Sequence, residues 1–486
     1  MSSRPGGLVA AGSTAFAAGL GALAVLQHRA FWTGRFDLGN AVQAVWSTAH
    51  GHPFSVTGLP GVQISRLGAH FEPLIAVLAP LWWAWPDPSL LLVCQAFGVA
   101  TGAVPVYLLA RKHLESEWAG AGFALAYLLH PATQWLVVDD FHMVAFATPL
   151  LLWGFWFLDE DRLVPFAVVA LAACLTKEQI GLVVALMGLW YAVRPGRRRA
   201  GMAIGVGGLA VTVLAFAVVI PHYSISGASR FEGRYATIGG SPHGILETAV
   251  TDPATLARAA TDHRDLGYVA DLVLPLLALP LVAPLAALTA VPDLAVNVLS
   301  DTRSQTSIHF HYTAGALPGL MVAAVLGAAR LRRRFDWARR PEGRAVVVST
   351  LVAGIVLGPL PVWSHVPFGS DLGAREHVVG AHARVAERAL RLVPPGAPVS
   401  ATNTLGAHLS ERRRVFSFPV VREARWIAID LARPSYRDQT GRAAQLEAAL
   451  ARLRSSGRFR VVFHEDGVLV LHAPATEGSS AAAGTP

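Results

Sequence analysis

The chain has 486 residues, 53% of them hydrophobic and only 15% charged, with a mean hydropathy of +0.45. That balance excludes an ordinary soluble enzyme and describes a polytopic α-helical membrane protein whose surroundings are the bilayer. The formal net charge of +8 does not signal nucleic acid, because the basic residues form short clusters between apolar runs and a scatter over the tail, the pattern that orients a membrane protein.

The first apolar run, Leu8 to Gln27, is about twenty residues long and suits a span better than a short signal core. Past it stands Phe36-Asp37-Leu38-Gly39-Asn40, and further on His70-Phe71-Glu72-Pro73. The segment Phe71 to Trp85, with Pro73, Pro80 and paired tryptophans, reads as lying along the outer surface. Further apolar runs are Leu90–Ala110, Ala119–Val138, Met143–Leu158, Leu163–Val193, Gly201–Ile220, Leu266–Ser300, Tyr312–Ala329 and Ala345–Trp363. Cys94 and Cys174 lie inside such runs, as packing residues rather than a disulfide framework.

Four basic clusters fix the sidedness: Arg111-Lys112-His113, Arg194 to Arg199, Arg330 to Arg334, and Arg339-Arg340 with Arg344. All are expected on the cytoplasmic side. Parity between them places Asp139-Asp140-Phe141-His142 outside and the turn Asp159 to Arg162 inside. It also splits Leu163–Val193 at Thr176-Lys177-Glu178-Gln179, giving two halves too short for a full span, as if they stopped at a cavity. The run Leu266–Ser300 becomes a hairpin bent near Pro280 and Pro284, leaving Asp301 to His311 outside. Eleven spans result, with the N-terminus cytoplasmic and the C-terminus outside.

The polar residues thereby segregate to one face: Asp37, His70, Glu72, Asp139, Asp140, His142, Lys177, Glu178, Asp301, Arg303, His309 and His311. Ionisable groups at membrane depth are costly and usually functional. Each also has an ordinary reading. Lys177 with Glu178 is either a structural ion pair or part of the site, and Asp37 and Asp139 or Asp140 are either helix caps or reactive acids. His309 and His311 are either satisfied loop residues or ligands. No Walker motif, dinucleotide fingerprint, paired CxxC or HExxH occurs.

The stretch from Phe36 to Arg111, with Asp37-Leu38-Gly39, Gln43, Trp46, Gly68, His70-Phe71, Pro80-Leu81 and Gln95, resembles a bacterial predicted-membrane-protein family of unknown function. Over residues 8 to 365, the order of first-loop acid, second-loop motif and outward acidic turn resembles the GT-C superfamily of polyprenyl-phosphate-sugar-dependent glycosyltransferases. The resemblance departs at Ala69-His70-Phe71-Glu72-Pro73, where protein mannosyltransferases and aminoarabinose transferases carry His-Pro-Pro or Lys-Pro-Pro, so donor and acceptor identity do not carry over. It implies a lipid-linked sugar as donor, a cell-envelope acceptor and the lipid bilayer as partner. In that chemistry Asp37 is the general base. Lys177, Arg303, His309 and His311 would stabilise the leaving phosphate, and His70, Glu72, Asp139, Asp140, His142 and Glu178 would orient the sugar, tune the base or hold a divalent metal.

Residues 371–473 change character. Amphipathic stretches at Arg375–Leu392 and Arg442–Ser455 alternate with β-rich runs at Val399, Val415–Phe418, Trp426–Asp430 and Phe459–His472, the last turning at Glu465-Asp466-Gly467. A small extracytoplasmic α/β domain is expected there, beyond a membrane domain of residues 1–365 that includes a first outer loop at 28–88. Residues 474–486 are expected to be disordered. A secondary transporter or a non-catalytic cell-envelope protein remain the other readings; the inverted repeats of transporters are not evident.

Overall fold

The computed structural model describes residues 4–225, 232–335, 342–373, 375–435, 438 and 443–474. The expected Arg339-Arg340 cluster, Arg442 and the expected disordered tail from 475 onward lie outside these. The chain forms two units, one built from Met1–Val25, Arg66–Val77 and Ser89–His377, the other from Leu26–Ser65, Leu78–Pro88 and Val378–Pro486. The first outer loop, expected with the membrane domain, is thus divided: most of it packs with the C-terminal residues. The reason is polar side-chain bonding, set out below.

The first unit is helical. Arg4–Arg29, Ser89–His113 and Arg198–Tyr223 are each long and apolar enough to cross a membrane. Glu117–Leu129 and Pro131–Val138 make a fourth span if the pair is taken as one, bent by 48°. Pro131 causes the bend: it lacks an N–H, and it holds His130 in extended backbone, whose ring Nδ1 accepts from Ala132 N–H instead. The remaining expected crossings fall on shorter apolar helices, among them Met143–Asp159, Leu163–Cys174, Ile180–Ala192 and Gly343–Leu357. By length alone, three or four helices among the described residues qualify where parity counted eleven. The Leu266–Ser300 run does break where its prolines stand, with Leu277 and Ala278 in left-handed backbone between short helical turns.

Ile180–Ala192 and Arg198–Tyr223 pack backbone to backbone. A Cβ on Gly181 would sit 2.3 Å from Gly208 O, so only glycine admits this approach. The groups assigned to the cytoplasmic side come together: Asp159 pairs with Lys112 at 2.8 Å and with Arg194 at 3.0 Å, and Arg332 donates to Leu114 O.

The second unit carries a five-stranded sheet in the order β4-β3-β5-β7-β6, formed by β3 (Val399–Ala401), β4 (Val415–Ser417), β5 (Trp426–Asp430), β6 (Arg460–Glu465) and β7 (Val468–His472). β3 is parallel to both β4 and β5, while β7 runs antiparallel to β5 and β6. Val399, Val415, Ala428 and Val470 pack against Ala386 and Leu390 of the Ala381–Leu390 helix. From the first outer loop come the hairpin of β1 (Ser55–Thr57) with β2 (Gln63–Ser65) and the Asn40–Ala49 helix.

Candidate functional site

The Leu163–Cys174 and Ile180–Ala192 helices are only 12 and 13 residues long, and the turn between them carries Thr176, Lys177, Glu178 and Gln179. Thr176 Oγ1 donates to Ala173 O, closing the first helix, and Thr212 Oγ1 of the neighbouring helix donates to Glu178 O. The turn is thereby fixed from both sides. Glu178, 8% exposed, accepts from His70 Nδ1 at 3.0 Å and from Phe71 N–H at 3.0 Å. The two motifs, more than a hundred residues apart in sequence, meet through one carboxylate.

Burial alone would push the Glu178 carboxyl up. The His70 ring that donates to it and the adjacent Lys177 ammonium outweigh that and hold it below the ordinary carboxylate range. Burial keeps His70 below the usual imidazole value, so it serves as a neutral donor. Glu72 faces elsewhere: it pairs with Arg66 at 2.6 Å, which offsets its burial and holds its carboxyl low.

Beside this pair lies a cavity of about 400 Å³ whose polar lining includes His70, Lys177, Glu178, Arg234, Gln305 and Tyr312. The Lys177 ammonium stands 5.8 Å from the Tyr312 ring centroid and the Arg234 guanidinium 6.0 Å from the same ring. Arg234 also donates to Tyr312 Oη at 3.3 Å and to Gln305 Oε1 at 3.2 Å. Two cations share one aromatic ring, and the Glu178 carboxylate in the lining is already occupied by His70 and Phe71. Gln179 and Tyr235 add to the polar lining, and the rest is mostly apolar, with Leu182, Phe216, Ile245, Pro292 and Val296. Such a cavity suits an anion carried on an apolar body.

A second cluster gathers the outward acidic turn and the loop before the Ala316–Arg334 helix. Asp139 Oδ2 accepts from the His311 backbone N–H at 2.9 Å and lies 3.3 Å from His311 Nδ1 and 3.9 Å from His142 Nδ1. The His142 and His311 rings stack, with centroids 3.5 Å apart and planes inclined by 18°. Burial, reinforced by His142, Lys177, His70 and Arg234, holds His311 well below its usual value. One ligand atom from each of Asp139, His142 and His311 lies within 4.8 Å of the others. Stacked rings nonetheless aim their lone pairs along near-parallel planes, which do not meet within a metal–nitrogen bond of about 2.0–2.1 Å. In this arrangement the three residues do not fit a shared metal.

Asp140 takes left-handed backbone at φ 55° and gives its carbonyl to Gln95 Nε2, with Gln95 Oε1 accepting from His142 N–H. His309 lies against Trp135. Arg303, expected as a phosphate ligand, is exposed and does not line the cavity. Arg234 stands there instead. It was missed because it lies in a polar connection without a motif, and only its aromatic neighbour Tyr312 marks it. Asp37 belongs to the second unit, in the five-residue π-helical turn Arg35–Gly39.

Residues 27–470 match the model of DUF2079, described as a predicted membrane protein. The chain belongs to the DUF2079 family. No curated protein matches it. Among solved structures, ArnT from Cupriavidus metallidurans bound to undecaprenyl phosphate is 15% identical with a TM-score of 0.53, over 96% of this chain and 98% of that one. ArnT in the apo state is 13% identical with a TM-score of 0.52, over 90% and 93%. At this identity the likeness shows the fold. This DUF2079 protein is a membrane protein with the fold of ArnT and a small C-terminal sheet domain.

Proposed function

We propose that this DUF2079 protein is a GT-C-type glycosyltransferase that moves a sugar from a polyprenyl-phosphate donor to an acceptor in the cell envelope, with its C-terminal domain extracytoplasmic and its N-terminus cytoplasmic. The observation that carries the reading is the cavity in which Lys177 and Arg234 flank Tyr312 amid apolar side chains. A lipid phosphate is the anion that suits it, and the neighbour of the same fold was solved with undecaprenyl phosphate bound.

In this reading the acceptor oxygen attacks the anomeric carbon of the donor sugar, its proton passes to the Asp37 carboxylate, and the bond to the phosphate oxygen breaks with release of the polyprenyl phosphate. Lys177 and Arg234 neutralise the charge gathering on that phosphate. His70, its Nδ1–H given to Glu178, can only accept at Nε2, so at the cavity it lines it would take a hydrogen bond from a substrate hydroxyl. Asp139, Asp140 and His142 orient the sugar, and His309 and His311 act as neutral hydrogen-bonding groups rather than cations. Glu72 braces the second motif through Arg66.

Asp37→Asn tests the base. In membranes supplied with radiolabelled undecaprenyl-phosphate sugars, the variant is expected to fold and to bind undecaprenyl phosphate while losing transfer by about 100-fold or more. Unchanged transfer removes Asp37 from the mechanism.

A further inference from the structure

The motif that carries Asp37 is bound to the C-terminal domain through Arg35, Phe36 and Gln43. Arg35, 2% exposed, donates to Ser417 Oγ at 2.6 Å, Val415 O at 2.6 Å and Thr57 O at 2.7 Å. Phe36 N–H donates to Asn403 Oδ1 at 3.3 Å. Gln43 Nε2 donates to Arg412 O and Arg413 O, and its Oε1 accepts from Thr57 N–H. The glycines on either side of the turn serve the same contact. A Cβ on Gly39 would lie 3.1 Å from Ala407 Cα, and one on Gly34 would lie 2.7 Å from Asn403 Nδ2.

The sheet topology explains why this contact sits where it does. β4 is an edge strand, and an open edge exposes unpaired carbonyls and N–H groups. Val415 O is taken by Arg35 and Val415 N–H donates to Thr57 Oγ1, so the first outer loop covers that edge. β3 has parallel neighbours on both sides, reached by connections of opposite direction, and Asn403 follows its carboxyl end. Open α/β sheets bind ligands at such a switch point. Here the chain's own acid-bearing turn takes hold there.

We propose that Arg35 is a positioning residue through which the C-terminal domain fixes the turn bearing Asp37. The domain then acts as a brace for the proposed base and is required for turnover rather than for donor binding. Burial lowers the Arg35 guanidinium to about 10, yet it stays charged at neutral pH, and its bonds among the described residues go to neutral oxygens. Those charge-assisted bonds are the stronger kind. The proposal rests on Asp37 being the base.

The test uses the full-length protein in lipid nanodiscs with three variants, Arg35→Met, Ser417→Ala and Gly406→Ala, the last placing a Cβ 2.9 Å from Arg35 Cδ. Two readouts are taken: amide hydrogen exchange over residues 34–43, and kcat and donor KM with the undecaprenyl-phosphate sugar that the wild type consumes. Arg35→Met is expected to speed exchange at residues 36–40 by about 10-fold or more, as the loss of charge-assisted bonds implies. It should lower kcat by about 100-fold, the scale of a displaced reactive group, with KM nearly unchanged. Gly406→Ala and Ser417→Ala should show the same pattern more weakly, and they carry the test if Arg35→Met does not fold. Unchanged exchange in these variants, or a raised KM with kcat intact, overturns the proposal. A wild type that transfers no sugar overturns the base assignment and with it the catalytic part of the proposal, while exchange still decides whether Arg35 holds the turn.

Discussion

Replacing Lys177 and Arg234 by methionine, singly and together, probes the cavity directly. Each cation is held on the Tyr312 ring, and Lys177 is 7% exposed, so neither phosphate contact would be strongly screened by water. A hydrogen bond to a charged group contributes about 1.5–3 kcal/mol, so each substitution should weaken undecaprenyl phosphate binding by roughly 10- to 150-fold. Tyr312→Phe keeps the ring under both cations and removes only the hydroxyl that receives Arg234. Its expected cost is about 0.5–1.5 kcal/mol, or roughly 2- to 10-fold. The double variant should fall short of the product of the singles, because both cations act on one phosphate. The assay is equilibrium binding of radiolabelled undecaprenyl phosphate to purified protein in nanodiscs. Singles that bind as tightly as wild type, with Tyr312→Phe also unchanged, would refute the assignment of this cavity to the lipid phosphate.

Acid should destabilise the helical unit in two steps of the same sign. His70 and His311 have lowered values, so below about 6.5 the unfolded chain takes up protons that the folded one does not, and stability falls. Glu178 and Glu72 are also lowered, so their contribution is present above the ordinary carboxylate value of about 4.3 and is lost as pH falls through their folded values. Thermal unfolding against pH checks this, and Glu178→Gln should flatten the lower step while deepening the upper one, because the carboxylate raises His70; a rise in stability on acidification contradicts it. Gly181→Val should split the glycine seam, at about 1–3 kcal/mol or more for overpacking, and lower the yield of monodisperse protein on gel filtration, whereas Gly207→Val meets open space and should not. Chelation with EDTA should leave transfer unchanged, since the stacked His142 and His311 rings do not converge on a cation; loss of transfer restored by zinc would show that the rings reorient.

Part of the helical unit was legible from its apolar runs, prolines and charge clusters. The basic clusters were assigned to one side from charge and the Asp159 turn from span parity, and the pairs Lys112–Asp159 and Arg194–Asp159 join them. The split at Thr176 to Gln179 followed from length, and the break of Leu266–Ser300 from proline. What parity does not report is whether an apolar segment is a full-length helix, and helices such as Leu163–Cys174 are shorter than a complete span. Within the site, the meeting of His70 with Glu178 was foreshadowed only as a shared face. Arg303 and Arg234 lie in polar connections without periodicity, so sequence could not rank one above the other. The largest surprise is physical rather than statistical. Arg35, Gln43 and the glycines around Asp37 have a structural reason to be where they are, the edge of β4, which a linear reading of a catalytic-looking motif cannot reveal.

The most direct measurement is sugar transfer by the purified protein in proteoliposomes, given a panel of radiolabelled undecaprenyl-phosphate sugars and an envelope extract as acceptor. One donor is expected to be consumed with release of undecaprenyl phosphate, and Lys177→Met, Arg234→Met and Asp37→Asn should each lower that release by about 10-fold or more. No release from any donor, or uptake of a solute into the liposomes without one, would contradict it.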